Sequence, residues 1–469
     1  MRPLTLILLC TLAAQAKSKP APKPNITLPD NYSKPLNPGG DLAFWWVGFE
    51  DSALTGLIQL AEKKNFDLAL AQSRLLEARA TTRQAQSALL PSPSTSLSFT
   101  NSQRSNNSPA IPRIEAPQGA AGPDLIPRRY SLFDTSIDVS YELDFYGANR
   151  KSRNATRADE LAQQEDWNDT KITLTSELAR NYFNLREAQA RRAVTRQSLS
   201  SFEQSLKLTT LRRQAGLATQ QDEVRLRSQI ESSRASLPQL EARIEESLQA
   251  ISLLCATSAT TLAEQLGDAD TLPKEPRQIP GALPSDLLKR RPDIRKAFAQ
   301  LDAATLRRQS AETDWFPKLK LTASTGGQSG DLTNLLSANS IISSFVPKLS
   351  WGALNYKQTR ASIDQKAAKE SQQLATIEKT LATAFKEVET ALSAFHREKQ
   401  RLDHLQQATA AQEQLAQLAA TRYQSGLDTI LPVLETERSV ISALDLELQS
   451  QANIRRNLIT LFKALGGGW

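Results

Sequence analysis

The chain is 469 residues long, 40% apolar and 23% charged, with a net charge of +7 and only 18 glycines. That apolar fraction permits a large buried core, but the scarcity of glycine and the abundance of Ala, Gln, Arg and Glu favour long helices over compact α/β domains. Acidic and basic residues interleave, as from Lys151 to Glu160 and from Lys386 to Arg401, which reads as solvated helix faces and argues against a nucleic-acid groove, where positive charge is segregated and interleaved with aromatic rings.

Met1-Arg2, the apolar run Leu4 to Leu12 and Ala14-Gln15-Ala16 have the charged start, apolar middle and small-residue exit of a secretory leader over residues 1–16. Cleavage after Ala16 is the expected processing. Lipidation at Cys10 is the alternative, but the bulky Ile7-Leu8-Leu9 stands where a lipoprotein signal needs a small residue. Cys255 is then the single remaining cysteine, which rules out an intramolecular disulfide, and its apolar surroundings from Ile251 to Ala256 point to a small buried side chain. No other segment reaches the roughly 18 to 20 apolar residues of a membrane-spanning helix. Any membrane crossing by the exported chain must use strands.

Residues 17–40, rich in Pro, Lys and Asn, read as extended. With Phe44-Trp45-Trp46, Phe49 and a short helix from Asp51 to Lys63 they make an N-terminal segment, 17–65, whose aromatic rings are expected to pack it onto the body. A first structural repeat, 66–280, opens with a helix from Asp67 to Leu90 that Pro91 and Pro93 stop. Strands over about 94–101 and 134–145 flank a loop of about thirty residues rich in turn formers. The stretch Ser136 to Phe145 alternates strictly and is near the length of a tilted membrane strand, although a half-buried strand of a soluble sheet has the same pattern. From Ala148 to Ala215 the chain has no Gly or Pro, ending in Arg212-Arg213-Gln214-Ala215-Gly216; a further helix runs from Ala218 to Leu254.

The same features return in a second repeat, 281–469. A helix from Asp293 to Asp314 is broken by Trp315-Phe316-Pro317, and strands over about 318–325 and 344–351 flank a Gly/Ser-rich loop from Gly326 to Asn339. The stretch from Ala353 to Ser425 again lacks Gly and Pro; as one helix it would be roughly 110 Å long. It ends in Arg422-Tyr423-Gln424-Ser425-Gly426, a near copy of the first turn, before a helix from Thr429 to Leu465. Gly216 and Gly426 each read as the C′ residue of a long helix turning into a hairpin. Four strands cannot close a membrane barrel, because the smallest has eight and open edges are not tolerated in lipid. If these strands cross a membrane, several chains pool them.

Trp46 with Phe49-Glu50-Asp51 and Leu57-Ile58, Tyr141-Glu142-Leu143-Asp144-Phe145-Tyr146-Gly147, Ala179-Arg180-Asn181-Tyr182-Phe183, Arg290-Arg291-Pro292-Asp293-Ile294, Trp315-Phe316-Pro317 and Arg422 to Gly426 follow in order over nearly the whole mature chain. By these residues the chain resembles the TolC-like outer-membrane channel family, in its multidrug-efflux branch. The resemblance implies a mainly α fold with transmembrane β structure. In it, a homotrimer gives four strands per chain to a 12-stranded β-barrel and long helices to a periplasmic α-helical barrel, with a mixed equatorial region between. It places the chain in the outer membrane with most of its mass in the periplasm. It also implies a periplasmic adaptor, or membrane fusion protein, that meets the two Gly turns and links the channel to an inner-membrane pump. The expected contacts are Arg212, Gln214, Ala215 and Gly216 on one tip and Arg422, Gln424, Ser425 and Gly426 on the other.

No enzymatic chemistry is legible. His396 and His404 stand eight apart without metal-ligand spacing, and there is no P-loop, dinucleotide fingerprint or nucleophile elbow, so no cofactor or metal is expected. Leu431 and Glu435 lie one turn apart on one helix face. By resemblance they line the narrowest part of a closed periplasmic end, as a dry constriction and a carboxylate ring, whereas core packing and a solvated charge are the ordinary readings. Pro432 stands where some relatives carry a further Asp. Asp222, six residues after Gly216, is a third gate candidate, expected to latch a neighbouring Arg such as Arg422. A passive duct for small toxic compounds is the leading function; a duct for secreted polypeptides and a pore-less periplasmic coiled-coil adaptor or spacer are the alternatives.

Overall fold

The computed structural model describes residues 20–25, 29, 31–34, 42–103, 105, 113–115, 121–124, 129–276, 284–286 and 290–469. The expected leader, with Ala16 and Cys10, and most of 17–40 lie outside the described residues. The helices are α1 (Ser52–Lys64), α2 (Phe66–Ser87), α3 (Ala148–Gln214), α4 (Gln220–Cys255), α5 (Ala259–Leu266), α6 (Pro292–Glu312), α7 (Tyr356–Gln424) and α8 (Ile430–Ala464). The strands are β1 (Ser92–Gln103), β2 (Arg113–Glu115), β3 (Ala121–Asp124), β4 (Arg129–Leu143), β5 (Lys318–Ser329) and β6 (Ile341–Ser350). Helix, strand, strand, long helix, helix thus occurs twice in order, as α2, β1, β4, α3, α4 and as α6, β5, β6, α7, α8.

Two details depart from the sequence reading. The first long loop carries its own antiparallel hairpin, β2 with β3. The second loop is shorter than its composition suggests, because Gly326 and Gly327 belong to β5. A Cβ on Gly326 would lie 1.8 Å from the Thr135 carbonyl oxygen, and one on Gly327 would lie 2.3 Å from that of Leu335. These glycines mark close backbone approach within a sheet, which composition cannot distinguish from a turn.

The described residues form two compact units. One holds Glu77–Glu160 and Gln300–Gln373; the other holds Lys23–Leu76, Leu161–Ala299 and Leu374–Trp469. The first unit contains one antiparallel sheet in the order β1-β4-β5-β6, so β1 and β6 are its edges. Register sorts its side chains by parity. Leu97, Phe99, Phe133, Ile137, Val139, Leu319, Leu321, Phe345 and Leu349 share one face, and Asp134, Asp138, Glu142, Lys318, Lys320 and the serines of β1 share the other, while Arg129, Ser131 and Ser329, at the end of the sheet away from the helices, lie on the apolar side. β6 alternates less strictly, with Ile342 and Val346 on the polar side. Beside the sheet, α6 holds α7 through a buried ion pair: Arg308 Nε donates to Glu370 Oε2 at 2.7 Å, and Thr305 Oγ1 donates to Glu370 Oε1 at 2.7 Å.

The second unit has a continuous apolar core. Trp45 stacks on Phe462 with centroids 5.2 Å apart, and Phe49 lies 4.9 Å from Phe183. The aromatic cluster near the N-terminus therefore packs, as expected. Asp51 caps α1 by accepting from the Ala53 and Leu54 amides at 2.9 and 3.0 Å, while its other oxygen accepts from the Tyr182 hydroxyl at 2.6 Å. The described part of the extended segment lies along α7: the amides of Asn25 and Ser33 donate to Glu378 and Glu389, and Tyr32 stacks on Phe385. Cys255 is fully buried with Sγ 3.8 Å from the Leu57 carbonyl, and burial pushes its thiol up to about 11.

The residues after α8 thread this core. Gly467 donates its amide to Phe462 O, and a Cβ there would stand 2.7 Å from Leu42 O. Gly467→Ala is therefore expected to cost about 1–3 kcal/mol, as overpacking does. A melting temperature equal to that of the parent would show that the tail can shift without loss.

Candidate functional site

The two hairpin tips are built alike. Leu217 N donates to Arg212 O at 2.8 Å and Gly216 N to Arg213 O at 3.0 Å; Leu427 N donates to Arg422 O at 3.0 Å and Gly426 N to Tyr423 O at 3.1 Å. This paired pattern satisfies the last carbonyls of a helix and requires a left-handed residue, supplied by Gly216 at φ +75° and Gly426 at φ +73°. The repeated glycine was legible in sequence for this physical reason.

A small core joins the two tips. Phe202 of α3, Leu226 and Ile230 of α4, Ala419 and Tyr423 of α7 and Ile430 and Val433 of α8 are buried together. Arg212 crosses from one tip to the other, its guanidinium 4.5 Å from the Tyr423 ring centroid, donating from Nη1 to Tyr423 O at 3.3 Å and from Nη2 to Gln424 O at 3.4 Å. Arg212, expected among the adaptor-facing tip residues, is half-buried and clasps the two tips within the chain. Gln214, Ala215, Gly216, Arg422, Gln424, Ser425 and Gly426 are exposed. Arg212→Ala should cost about 1–2 kcal/mol of local stability from the lost cation–π contact and hydrogen bonds. Hydrogen exchange would read this as faster loss of protection at Leu217 and Leu427, and unchanged rates at both would refute the clasp.

The expected Asp222 to Arg422 latch does not form within the chain. Asp222 closes a capping box at the start of α4: its Oδ2 accepts from Thr219 N at 3.0 Å and Thr219 Oγ1 at 2.7 Å, while its amide donates to Thr219 Oγ1 at 3.2 Å. Arg422 Nε donates to Asp428 Oδ2 at 3.3 Å instead. Sequence spacing fixed both residues near a tip but not their rotamers. Near this tip the buried acid is the next residue, Glu223, only 6% exposed, paired with Arg213 at 2.7 Å and Arg227 at 2.5 Å.

On α8, Ile430, Val433 and Thr436 face the core, whereas Leu431 and Glu435 face away from it. Leu431 is 38% exposed in the single chain. The geometry thus brings these two together on one free face. Pro432 sits in the first turn, where its missing N–H breaks no helical bond.

Aromatic residues that the sequence reading used only as family motifs or strand ends gather where the strands meet the helices. Tyr146 stacks on Phe316 at 4.5 Å, Trp315 lies 5.4 Å from Tyr356, and Trp351 Nε1 donates to Trp315 O at 2.9 Å. Phe145, Trp351 and Tyr356 remain largely exposed. A belt of amphipathic rings bounding an exposed apolar strand face is the arrangement expected at a bilayer interface. Strictly spaced "Trp-Phe-Pro" and "Phe-Tyr-Gly" motifs at the strand ends were the available signal.

A sheet with one lipid-type face and two open edges, on a chain of paired very long helices, defines the class of TolC-like outer-membrane channel proteins. The sequence model of the family described as outer membrane efflux protein matches residues 57–257 and 283–467, and the chain belongs to that family. It is 31% identical over 425 residues to the toluene efflux pump outer membrane protein TtgF of Pseudomonas putida, covering 91% of this chain and 85% of that protein. It is 30% identical to the pyoverdine export outer membrane protein OpmQ of Pseudomonas aeruginosa, covering 100% of this chain and 97% of that protein. Among solved structures, the outer-membrane channel OprN matches with a TM-score of 0.83 at 27% identity, over 96% of this chain and 99% of that one. The chain is an outer-membrane efflux channel component, and its family is one of transport conduits. The pore-less spacer does not fit this membership.

Proposed function

We propose that three copies of the chain form a passive duct that carries small amphiphilic toxic compounds outward through the outer membrane. The observation that carries the reading is the four-stranded sheet of the first unit. Its apolar face is exposed, and its edge strands β1 and β6 present unpaired backbone groups that lipid does not tolerate. Pairing β6 of one copy with β1 of the next satisfies both edges at once. Three copies give twelve strands, and the long helices continue the tube into the periplasm. The small-molecule cargo is supported by the names of relatives, which concern toluene and pyoverdine.

The duct is closed at the hairpin tips by Leu431, which narrows and dries the opening, and by a ring of Glu435 carboxylates. Asp222 holds the first hairpin's entry into α4, and thereby the position of the neighbouring tip. Opening comes from a periplasmic adaptor engaging Gln214, Ala215, Gly216, Arg422, Gln424, Ser425 and Gly426, and coupling the channel to an inner-membrane pump.

Sedimentation of the detergent-purified protein and planar-bilayer recording test the assembly together. The expected result is a trimer of the mature chain with stepwise conductance. A monomer that stays soluble without detergent would refute the duct.

A further inference from the structure

The polar face of the sheet is not uniformly polar. On β1 it is a ladder of hydroxyls, Ser92, Ser94, Ser96, Ser98, Thr100 and Ser102. On β4 it carries three acids four residues apart, Asp134, Asp138 and Glu142, spaced by about 13 Å along the strand. Register places Lys320 of β5 directly opposite Glu142, and Lys348 of β6 directly opposite Lys320. These three residues form one cross-strand tier at the end of the sheet where the strands meet the helices.

The tier has a net positive charge. Lys318, the remaining lysine of this region, is neutralised by Asp314 at 2.8 Å. Lys320 and Lys348 are exposed, and among the described residues neither is held in an ion pair. Like charges directly opposite one another weaken a sheet, so the pairing of Lys348 with Lys320 is not explained by strand pairing. Further from the helices the sign reverses. Asp138 accepts from Ser136 Oγ at 2.7 Å, and Asp134 accepts from Gln328 Nε2 at 3.3 Å, and among the described residues no lysine or arginine is ion-paired to either.

We propose that Lys320 and Lys348 form a positively charged ring on the duct wall that contacts anionic groups of permeating molecules, ahead of two carboxylate rings at Asp138 and Asp134. The inference rests on the proposed barrel, in which the apolar face meets lipid and the polar face lines the water. Three copies put six lysines and three glutamates in the inner ring and three carboxylates in each outer ring. A solute leaving the helical tube passes first a surface that favours carboxylate, phosphate or sulfonate groups, then one that favours ammonium groups. Amphoteric solutes find a partner at each level.

Local thiol chemistry tests the ring without depending on the state of the tips. Thr322→Cys sits next to Lys320 on the same face, and Gln328→Cys sits opposite Asp134, about 20 Å along β5. Each is reacted in isolated outer membranes with an anionic sulfonatoethyl and a cationic trimethylammonium-ethyl methanethiosulfonate; the parent protein, whose Cys255 is buried, gives the background. Relative to a free thiol, Thr322→Cys should favour the anionic reagent by about threefold or more, and Gln328→Cys the cationic one. Adding Lys320→Gln and Lys348→Gln should abolish the preference at Thr322→Cys and leave that at Gln328→Cys intact. A preference at Thr322→Cys that survives both replacements, or no labelling there, overturns the ring. Leu321→Cys, on the opposite face, separates this failure from that of the barrel: if it reacts as fast as Thr322→Cys, the sheet is not in lipid and both readings fall.

Discussion

Replacing Leu431 and Glu435 together by alanine is expected to raise single-channel conductance by about an order of magnitude, because a dry, narrow constriction limits current far more than a wide water-filled tube. The two side chains act differently, and single variants separate them. Leu431→Ala widens and wets the opening, so conductance rises while cation preference stays. Glu435→Gln removes a ring of negative charge, so cation preference falls with little change in width. Neither change touches the tip core, since Ile430 and Val433 occupy the opposite side of α8. The melting temperature should therefore stay within about 0.5 kcal/mol equivalent of the parent, as for a surface substitution. A trimeric double variant with unchanged conductance and unchanged antibiotic exclusion would remove Leu431 and Glu435 from the gate.

The largest stability effect is expected at the link between α6 and α7. Arg308 and Glu370 have side chains only 6% and 11% exposed, and Thr305 occupies the second carboxylate oxygen. Arg308→Met should cost about 3–5 kcal/mol, because it leaves Glu370 buried with one hydrogen bond and no counter-charge. The double replacement Arg308→Met with Glu370→Leu should recover most of that loss, since desolvating an ion pair is itself expensive. Thermal unfolding of parent, single and double variants reads both statements. A single variant as stable as the parent would mean that water reaches Glu370 and screens it.

The existence of the helices and strands was written in the chain at short range. Runs without Gly or Pro became α3 and α7, Gly216 and Gly426 became left-handed caps, and the alternation from Ser136 onward became β4. Each follows from one residue's conformational preference or from a periodicity, and needs no knowledge of distant partners. The tip motifs also carried the family resemblance that the comparisons bear out.

Other features depended on residues far apart in sequence. Arg212 was legible as a tip residue but not as a clasp, because Tyr423 lies 211 positions away and only packing of α3 against α7 brings them together. Gly326 and Gly327 looked like loop residues until β4 and Leu335 closed on them. Asp222 turned inward to Thr219 because a local cap forms more readily than a bond to another hairpin. The lysine tier exists only through register: Glu142, Lys320 and Lys348 are unremarkable along the chain and adjacent across three strands. The sequence by itself determined which segments are helix, strand and turn, since those preferences are local. Only the tertiary structure decided which charges meet, because a one-residue slip in strand register or a different helix contact would reassign every such pair.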